Sequence, residues 1–171
     1  MFLDARLAAA VCEWHDDALR AANGPPVAEP AGAGEAPLDR LWHWIATNHR
    51  YNSLLWAEED LARRTTVSDA EIAANKRAID RFNQARNDAT ERVDEILLVA
   101  LGLVDAASAR TDSPRSTVAA GARLNSETAG SMIDRLSIMA LKVHAMRAQT
   151  ERQDVDELHR EESRVKLARL Q

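Results

Sequence analysis

Residues 38–63 read LDRLWHWIATNHRYNSLLWAEEDLAR. At about 100° per residue, Leu38, Leu41, Trp42 and Ile45 lie on one face of a helix, and the same face continues into His49, Asn52, Trp56, Glu59, Asp60 and Arg63. Its first turns are apolar; without a change of period it then fills with acid, base and amide groups. Residues 71–101, EIAANKRAIDRFNQARNDATERVDEILLVAL, repeat the pattern. A core arc of Ile72, Ile79, Phe82, Val93, Leu97 and Leu101 is interrupted from within by Asn83, Arg86, Thr90 and Asp94, with Asp80, Asn87 and Glu91 along one flank. Two such stripes facing a common interior enclose a titratable pocket.

The two stretches are neighbours in space because the link between them is short. Pro37 suits the first turn of a helix running to about Arg64. Thr65 to Val67 then form a tight connection, because Ser68 and Glu71 have the S-x-x-E spacing of a capping box that opens the next helix. An antiparallel hairpin follows, with the late polar part of the first partner beside the early to middle part of the second.

Outward from the hairpin, residues 1–22 form a first helix with Leu3, Leu7, Val11, Trp14 and Ala18 on one face, ended by Asn23-Gly24-Pro25-Pro26. Residues 23–36, rich in Ala, Gly and Pro, read as a flexible linker. On the other side the hairpin's second helix fades near Gly102 or Asp105. A loop of around twenty residues follows, of a length that is often functional or disordered. A fourth helix begins near Asn125 or Ser126. Met132, Ile133, Leu136, Met139, Ala140 and Val143 mark one side, and Glu127, Ser131, Asp134, Ile138 and Leu141 the other, so this helix is expected at the centre. Residues 151–171 are highly charged, with Val155, Leu158 and Val165 as spaced anchors, and read as a solvated helical extension or a partner-binding arm. The expectation is an all-α, four-helix, mainly antiparallel bundle in a single domain, with a bundle core at 37–150 and a charged C-terminal helical tail.

Composition agrees. The chain has 171 residues, enough for one domain to bury about 70% of its unfolded surface. Ala, Leu, Glu and Arg dominate and aromatic content is 4%, which suits helices better than strands. With 22 basic against 27 acidic residues spread along the chain, the net charge is −5 and no basic stripe offers itself to nucleic acid. Asp4 and Arg6 interrupt the N-terminal apolar run, and the longest uncharged apolar run, Ile96 to Val104, is too short to cross a bilayer. The expectation is a cytoplasmic protein with no membrane partner. Cys12 is the single cysteine, so no internal disulfide forms.

The interior polar positions admit two readings. Burying an unpaired polar group costs about 1–3 kcal/mol, so these groups must be paired, wet, or both. In the first reading Arg63, Arg86 and Arg135 form ion pairs with Glu59, Asp94 and Asp134 that fix helix register. In the second, pairing is completed by a ligand. His49 is then the proton-transfer group near neutral pH, and Glu59 or Asp60 orients the ring or acts as base. Arg63 and Arg86 offer planar forks for a carboxylate, sulfate or phosphate. Asn52, Asn83 and Asn87 position substrate, Trp56 walls the pocket, and Ser131, Asp134 and Arg135 bring in the fourth helix. For each residue a plainer alternative stands: a satisfied core histidine, a salt bridge across the hairpin, a core aromatic, a residue of a helix start.

His49-x-x-Asn52-x-x-x-Trp56-x-x-Glu59-Asp60-x-x-Arg63, then Ile79-Asp80-x-x-Asn83-Gln84-x-Arg86-Asn87-Asp88, resembles the bacterial family called domain of unknown function 4254. The segment Asn125 to Ser137, NSETAGSMIDRLS, is similar to that family's other hallmark, with Ala129 where many relatives have Pro. The resemblance covers roughly residues 38 to 147. It implies a fold and candidate positions, and an association with natural-product enzymes, one setting being construction of an aziridine ring by expulsion of sulfate.

Metal and cofactor motifs are weak. No Glu-x-x-His of a ferritin-like di-metal site is present, and Asp156-x-x-His159 lies in the charged tail. Glu91-x-x-Asp94 matches half of the acidic signature of all-α nucleotide pyrophosphohydrolases, but Leu61 and Ala62 stand where the first half needs a carboxylate. No Gly-rich phosphate loop occurs. The leading expectation is a cofactor-independent acid/base enzyme for a small anionic substrate, with no metal, aziridine formation being one such reaction. The competing expectations are a non-catalytic scaffold or partner subunit, which forms a homo- or hetero-oligomer through exposed helix faces or the tail, and a metal-dependent nucleotide pyrophosphohydrolase.

Overall fold

The computed structural model describes residues 5–21, 30–123 and 125–171. Expectations for Leu3, the Asn23-to-Pro26 breaker and the linker as far as residue 29 fall outside them. The elements are α1 (Ala5–Ala21), α2 (Pro37–Leu61), α3 (Asp69–Ala100), α4 (Ala129–Glu151) and α5 (Glu157–Leu170). The chain is all-helical; among the described residues the extended contact is an isolated bridge between Val104 and Ser116.

Local chemistry sets the helix ends. Pro37 opens α2, its missing N–H costing nothing in a first turn. Ser68 and Glu71 close both halves of a capping box at the start of α3. Past its far end, Gly102 adopts φ 67°. There the Gly102 N–H donates to the Val99 carbonyl and the Leu103 N–H to the Leu98 carbonyl, a Schellman closure that satisfies the last carbonyls. The expected end near Gly102 is thus a defined stop.

Helices α2 and α3 are antiparallel: Asn48 bonds Thr90, the Tyr51 ring lies 6.1 Å from the Phe82 ring, and Asn75 bonds Glu58, so partners descend one helix as they climb the other. Helix α4 packs against α1, α2, α3 and α5, the central position expected from its two-sided pattern. Ile133, Ser137 and Leu141, spaced four apart, form its buried line, whereas Met132 and Met139 are exposed. The start of α4 falls later than Asn125 or Ser126. Thr128 is the N-cap, accepting from the Ser131 N–H at 3.1 Å.

Two expectations need correction. Leu38 and Leu101, assigned to the core, are exposed; the apolar centre is Val11, Leu41, Ile45, Val93, Leu97 and Ile133, walled by Trp14, Trp42 and Leu136. The charged tail is helical and largely solvated, as expected, but it does not project from the bundle. Residues 152–156 turn the chain, and α5 folds back along α4, with His159 bonded to Gln149, the Arg160 guanidinium on the Arg152 and Val155 carbonyls, and Ser163 buried. Its charges lie on the outer side, where Arg160 and Arg164 pair with Glu157 and Glu161. Within the loop, residues 102–117 are tied by their own bonds. Arg115 pairs with Asp105, and buried Ser108 accepts from the Arg115 N–H and donates to the Asp105 carbonyl.

Helices α3 and α4 come close at Gly130, whose N–H donates to Asp94 Oδ1 at 2.7 Å. A Cβ here would lie 2.6 Å from the Thr90 carbonyl oxygen and 2.9 Å from the Asp94 carboxylate. Backbone cannot step aside as a flexible side chain can, so Gly130→Ala should push the helices apart. Urea unfolding is expected to show a loss of about 1–3 kcal/mol; unchanged stability would mean that the close approach does not hold.

Candidate functional site

At the fourth turn of α2 the inward face changes from aliphatic to polar, as the sequence pattern requires. Asn48, His49, Asn52 and Ser53 are all buried, and α4 meets them with Asp134 and Ser137. Asp134 Oδ1 accepts from Asn48 Nδ2 at 2.8 Å and from Asn52 Nδ2 at 2.9 Å. Asn52 Nδ2 also reaches Ser137 Oγ at 3.0 Å and Asn48 Oδ1 at 3.1 Å. Ser137 Oγ lies 2.8 Å from His49 Nδ1. From α3, Thr90 Oγ1 accepts from Asn48 at 3.1 Å and itself donates to the Arg86 carbonyl. Asp134, Asn52, Ser137 and His49 therefore form one continuous chain of polar contacts.

The two ends of this chain differ. At the outer end Asp134 and Arg86 keep side-chain exposures of 19% and 25%, with Arg86 Nε 4.0 Å from Asp134 Oδ1. At the inner end His49 is fully buried and its Nε2 has no hydrogen-bond partner among the described residues. Helix α1 covers it. The His15 ring lies 4.5 Å from the His49 ring, tilted by 33°, and Trp14 presents an edge to both rings at 5.5 and 5.7 Å. Both His15 nitrogens are also buried and, among the described residues, unpartnered.

Desolvation by this apolar cover disfavours the charged imidazolium. It lowers the His15 pKa from 6.5 to about 3, with the neighbouring His49 adding a smaller repulsion, and lowers that of His49 from 6.5 to about 4. Both rings are therefore neutral at pH 7.

The structure gathers His49, Asn52 and Asp134, with Arg86 at the edge. It does not bring Glu59, Asp60 and Arg63 to them. These three lie two or more turns farther on, at the end of α2, and are exposed, Arg63 pairing with Asp60 at 2.9 Å and approaching Glu59 at 3.9 Å. The expectation that Glu59 or Asp60 orients the His49 ring thus fails on position. Of the anticipated ion pairs, Arg63 with Glu59 is present on the surface, Arg86 faces Asp134 where Asp94 was expected, and Arg135 pairs with Glu127. Asn83 is half-buried on α3, and exposed Asn87 accepts from Arg86 at 3.0 Å without reaching the network. Ser131 is a residue of the α4 start, bonded to Thr128. Trp56 is half-buried farther along α2, against α4 and α5. Asp94, half of the pyrophosphohydrolase-like signature, holds the Gly130 N–H.

Sequence reasoning missed Asn48, Ser137 and His15. Asn48 and Ser137 stand one turn from Asn52 and Asp134, on the same faces. Val11, His15 and Leu19 are spaced four apart and all buried, so His15 carries the signature that exposed His49: a polar residue inside an apolar line.

The paired imidazoles set an acid dependence. In the unfolded chain each takes up a proton near 6.5, whereas the folded chain refuses it until about 3 and about 4. Below pH 6.5 the unfolded state binds more protons, so stability is full above that value and falls as the pH drops toward 4, by at most about 1.4 kcal/mol per pH unit for each ring. His15→Leu should remove about half of that slope without loss of stability at pH 7, since it replaces an unpartnered buried ring by a hydrocarbon. Urea unfolding between pH 7 and 4 checks this; an unchanged slope would show that His15 meets water.

No curated protein and no solved structure matches the sequence. A family model described as protein of unknown function (DUF4254) matches residues 42–171, from within α2 through α5, and leaves α1 outside the matched segment. The match takes in all of the polar network except the covering His15 and Trp14, and on it the chain belongs to the DUF4254 family.

Proposed function

We propose that the chain is a cofactor-independent acid/base enzyme for a small anionic substrate, with His49 as proton acceptor. One observation carries the reading. His49 Nδ1 is held by Ser137, which is held by Asn52, which is held by Asp134, while Nε2 is left without a partner. An imidazole fixed at one nitrogen and bare at the other is the arrangement a general base needs. If Nδ1–H donates to Ser137 Oγ, the lone pair sits on Nε2. With α1 in place burial holds the ring neutral at pH 7, and displacement of α1 relieves that desolvation and restores its basicity. Asp134 takes the orienting part first given to Glu59 or Asp60, and Arg86 is the guanidinium nearest the network's open end.

Closure of an aziridine with loss of sulfate is one reaction of this class. The amine nitrogen attacks the carbon bearing the sulfate, the C–N bond forms, and the C–O bond breaks with its electron pair leaving on sulfate. The amine proton passes to His49 Nε2, and the sulfate departs with the bonding pair; Arg86 stands at the opposite end of the polar chain and meets an anion only away from the ring. Substrate reaches the ring by displacing α1, whose His15 and Trp14 cover it. This reading places the protein in the cytoplasm of a bacterium, beside natural-product enzymes, as a four-helix, mainly antiparallel bundle with α5 packed outside.

A second reading is a scaffold or partner subunit in which the same network only sets helix register. What favours it is that the Asn48, Asn52, Asp134 and Ser137 side chains already bond one another. Long-range 15N–1H correlation spectra of the labelled chain at pH 7, with His15→Leu used for assignment, separate the two. The enzyme reading expects His49 protonated on Nδ1 and bare on Nε2. A proton found on Nε2 removes His49 as base and leaves register as the network's role.

A further inference from the structure

Where α5 returns along α4, its last turns and the end of α2 enclose a groove of about 560 Å3 lined by Trp56, Lys142, Met146, Lys166, Arg169 and their neighbours. The volume lies within the range of small-molecule sites, about 300–1,000 Å3. Its floor is apolar, from the half-buried Trp56 and Met146. Its rim is cationic, and those cations differ from the others of α5. Arg160 and Arg164 are neutralised by Glu157 and Glu161. Among the described residues Lys142 and Arg169 make no ion pair or hydrogen bond, and Lys166 stands 3.9 Å from Glu162, too far for a hydrogen bond. The single carboxylate in the lining, Asp60, is already engaged by Arg63 at 2.9 Å. A chain of net charge −5 thus holds three cations around an aromatic wall, two of them uncommitted.

We propose that this groove is a binding site for a small organic anion with a flat aromatic body, such as an aryl sulfonate, sulfate or phosphate. The ring lies against Trp56 and Met146, and the anionic group meets Lys142 and Arg169. Apolar burial alone would favour a neutral ligand, and charge alone at an exposed rim contributes little. The combination selects molecules that carry both. The site is formed by α2, α4 and α5, apart from the His49 network, and does not depend on it.

The probe is 8-anilinonaphthalene-1-sulfonate, set against the neutral N-phenyl-1-naphthylamine, with binding to the full chain followed by fluorescence. The sulfonate is expected to saturate one site and to bind at least tenfold more tightly than the neutral probe. Lys142→Gln with Arg169→Gln should weaken the sulfonate about tenfold or more and leave the neutral probe within twofold, while Trp56→Leu should weaken both. The cation positions are exposed at the rim, and circular dichroism verifies that the double variant is folded. Equal affinity for the two probes overturns the proposal, as does a double variant that binds the sulfonate within twofold of the natural chain. Loss of affinity on adding a polyanionic peptide but not an excess of benzenesulfonate also overturns it, in favour of a macromolecular partner.

Discussion

The Asp134 carboxylate, gripped by the amides of Asn48 and Asn52, is the contact on which the arrangement of helices depends. Apolar side chains pack in many registers at similar cost, but a buried amide has directional donors and loses about 1–3 kcal/mol when one is left unmet. Sliding α4 by one turn against α2 would strand both amides, and the Ser137 contact to His49 with them. The Gly130–Asp94 bond adds the third helix to the same fixed point. The polar network therefore positions helices that the aliphatic core only glues together.

Most of this could be read from the chain because it rests on local periodicity and end chemistry. The Ser68–Glu71 box, Pro37 and Gly102 mark ends by backbone rules that act within a few residues, and each stands where its residue type demands. The inward turn of His49 and Asn52 was legible for the same reason: their stripe is shared with Leu41 and Ile45. What failed was distance along the stripe. Glu59, Asp60 and Arg63 continue the stripe, but the end of α2 packs on α3 through other positions such as Glu58 and leaves those three in water. Periodicity fixes a direction around a helix axis; where a neighbour meets that helix is a tertiary property. The docking of the tail on α4 is hidden in the same way. Its charge pattern describes the outer side of α5 correctly, while the buried Ser163 and the guanidinium of Arg160 on two carbonyls, which hold the helix to α4, carry no apolar signal.

His15 shows a different limit. On α1 it sits between Val11 and Leu19, yet only three dimensions place its ring 4.5 Å from that of a residue thirty-four positions later. Neither ring is satisfied by the other, because two neutral imidazoles stacked at a tilt exchange no hydrogen bond. The pairing is a cost that the hydrophobic contacts of Trp14, Trp42 and Val11 must offset. Groups kept at such a cost are where perturbed acidity and chemistry tend to coincide.

Helix α1 occupies the approach to His49 while remaining covalently joined to α2 through residues 22–36. A tether of that length presents its cargo at an effective concentration on the order of millimolar. Any molecule that seeks the imidazole must therefore outcompete an occupant that never diffuses away, and on departure it is replaced in a unimolecular step. The helix in effect is an intramolecular occupant of the imidazole face, held there by its own chain.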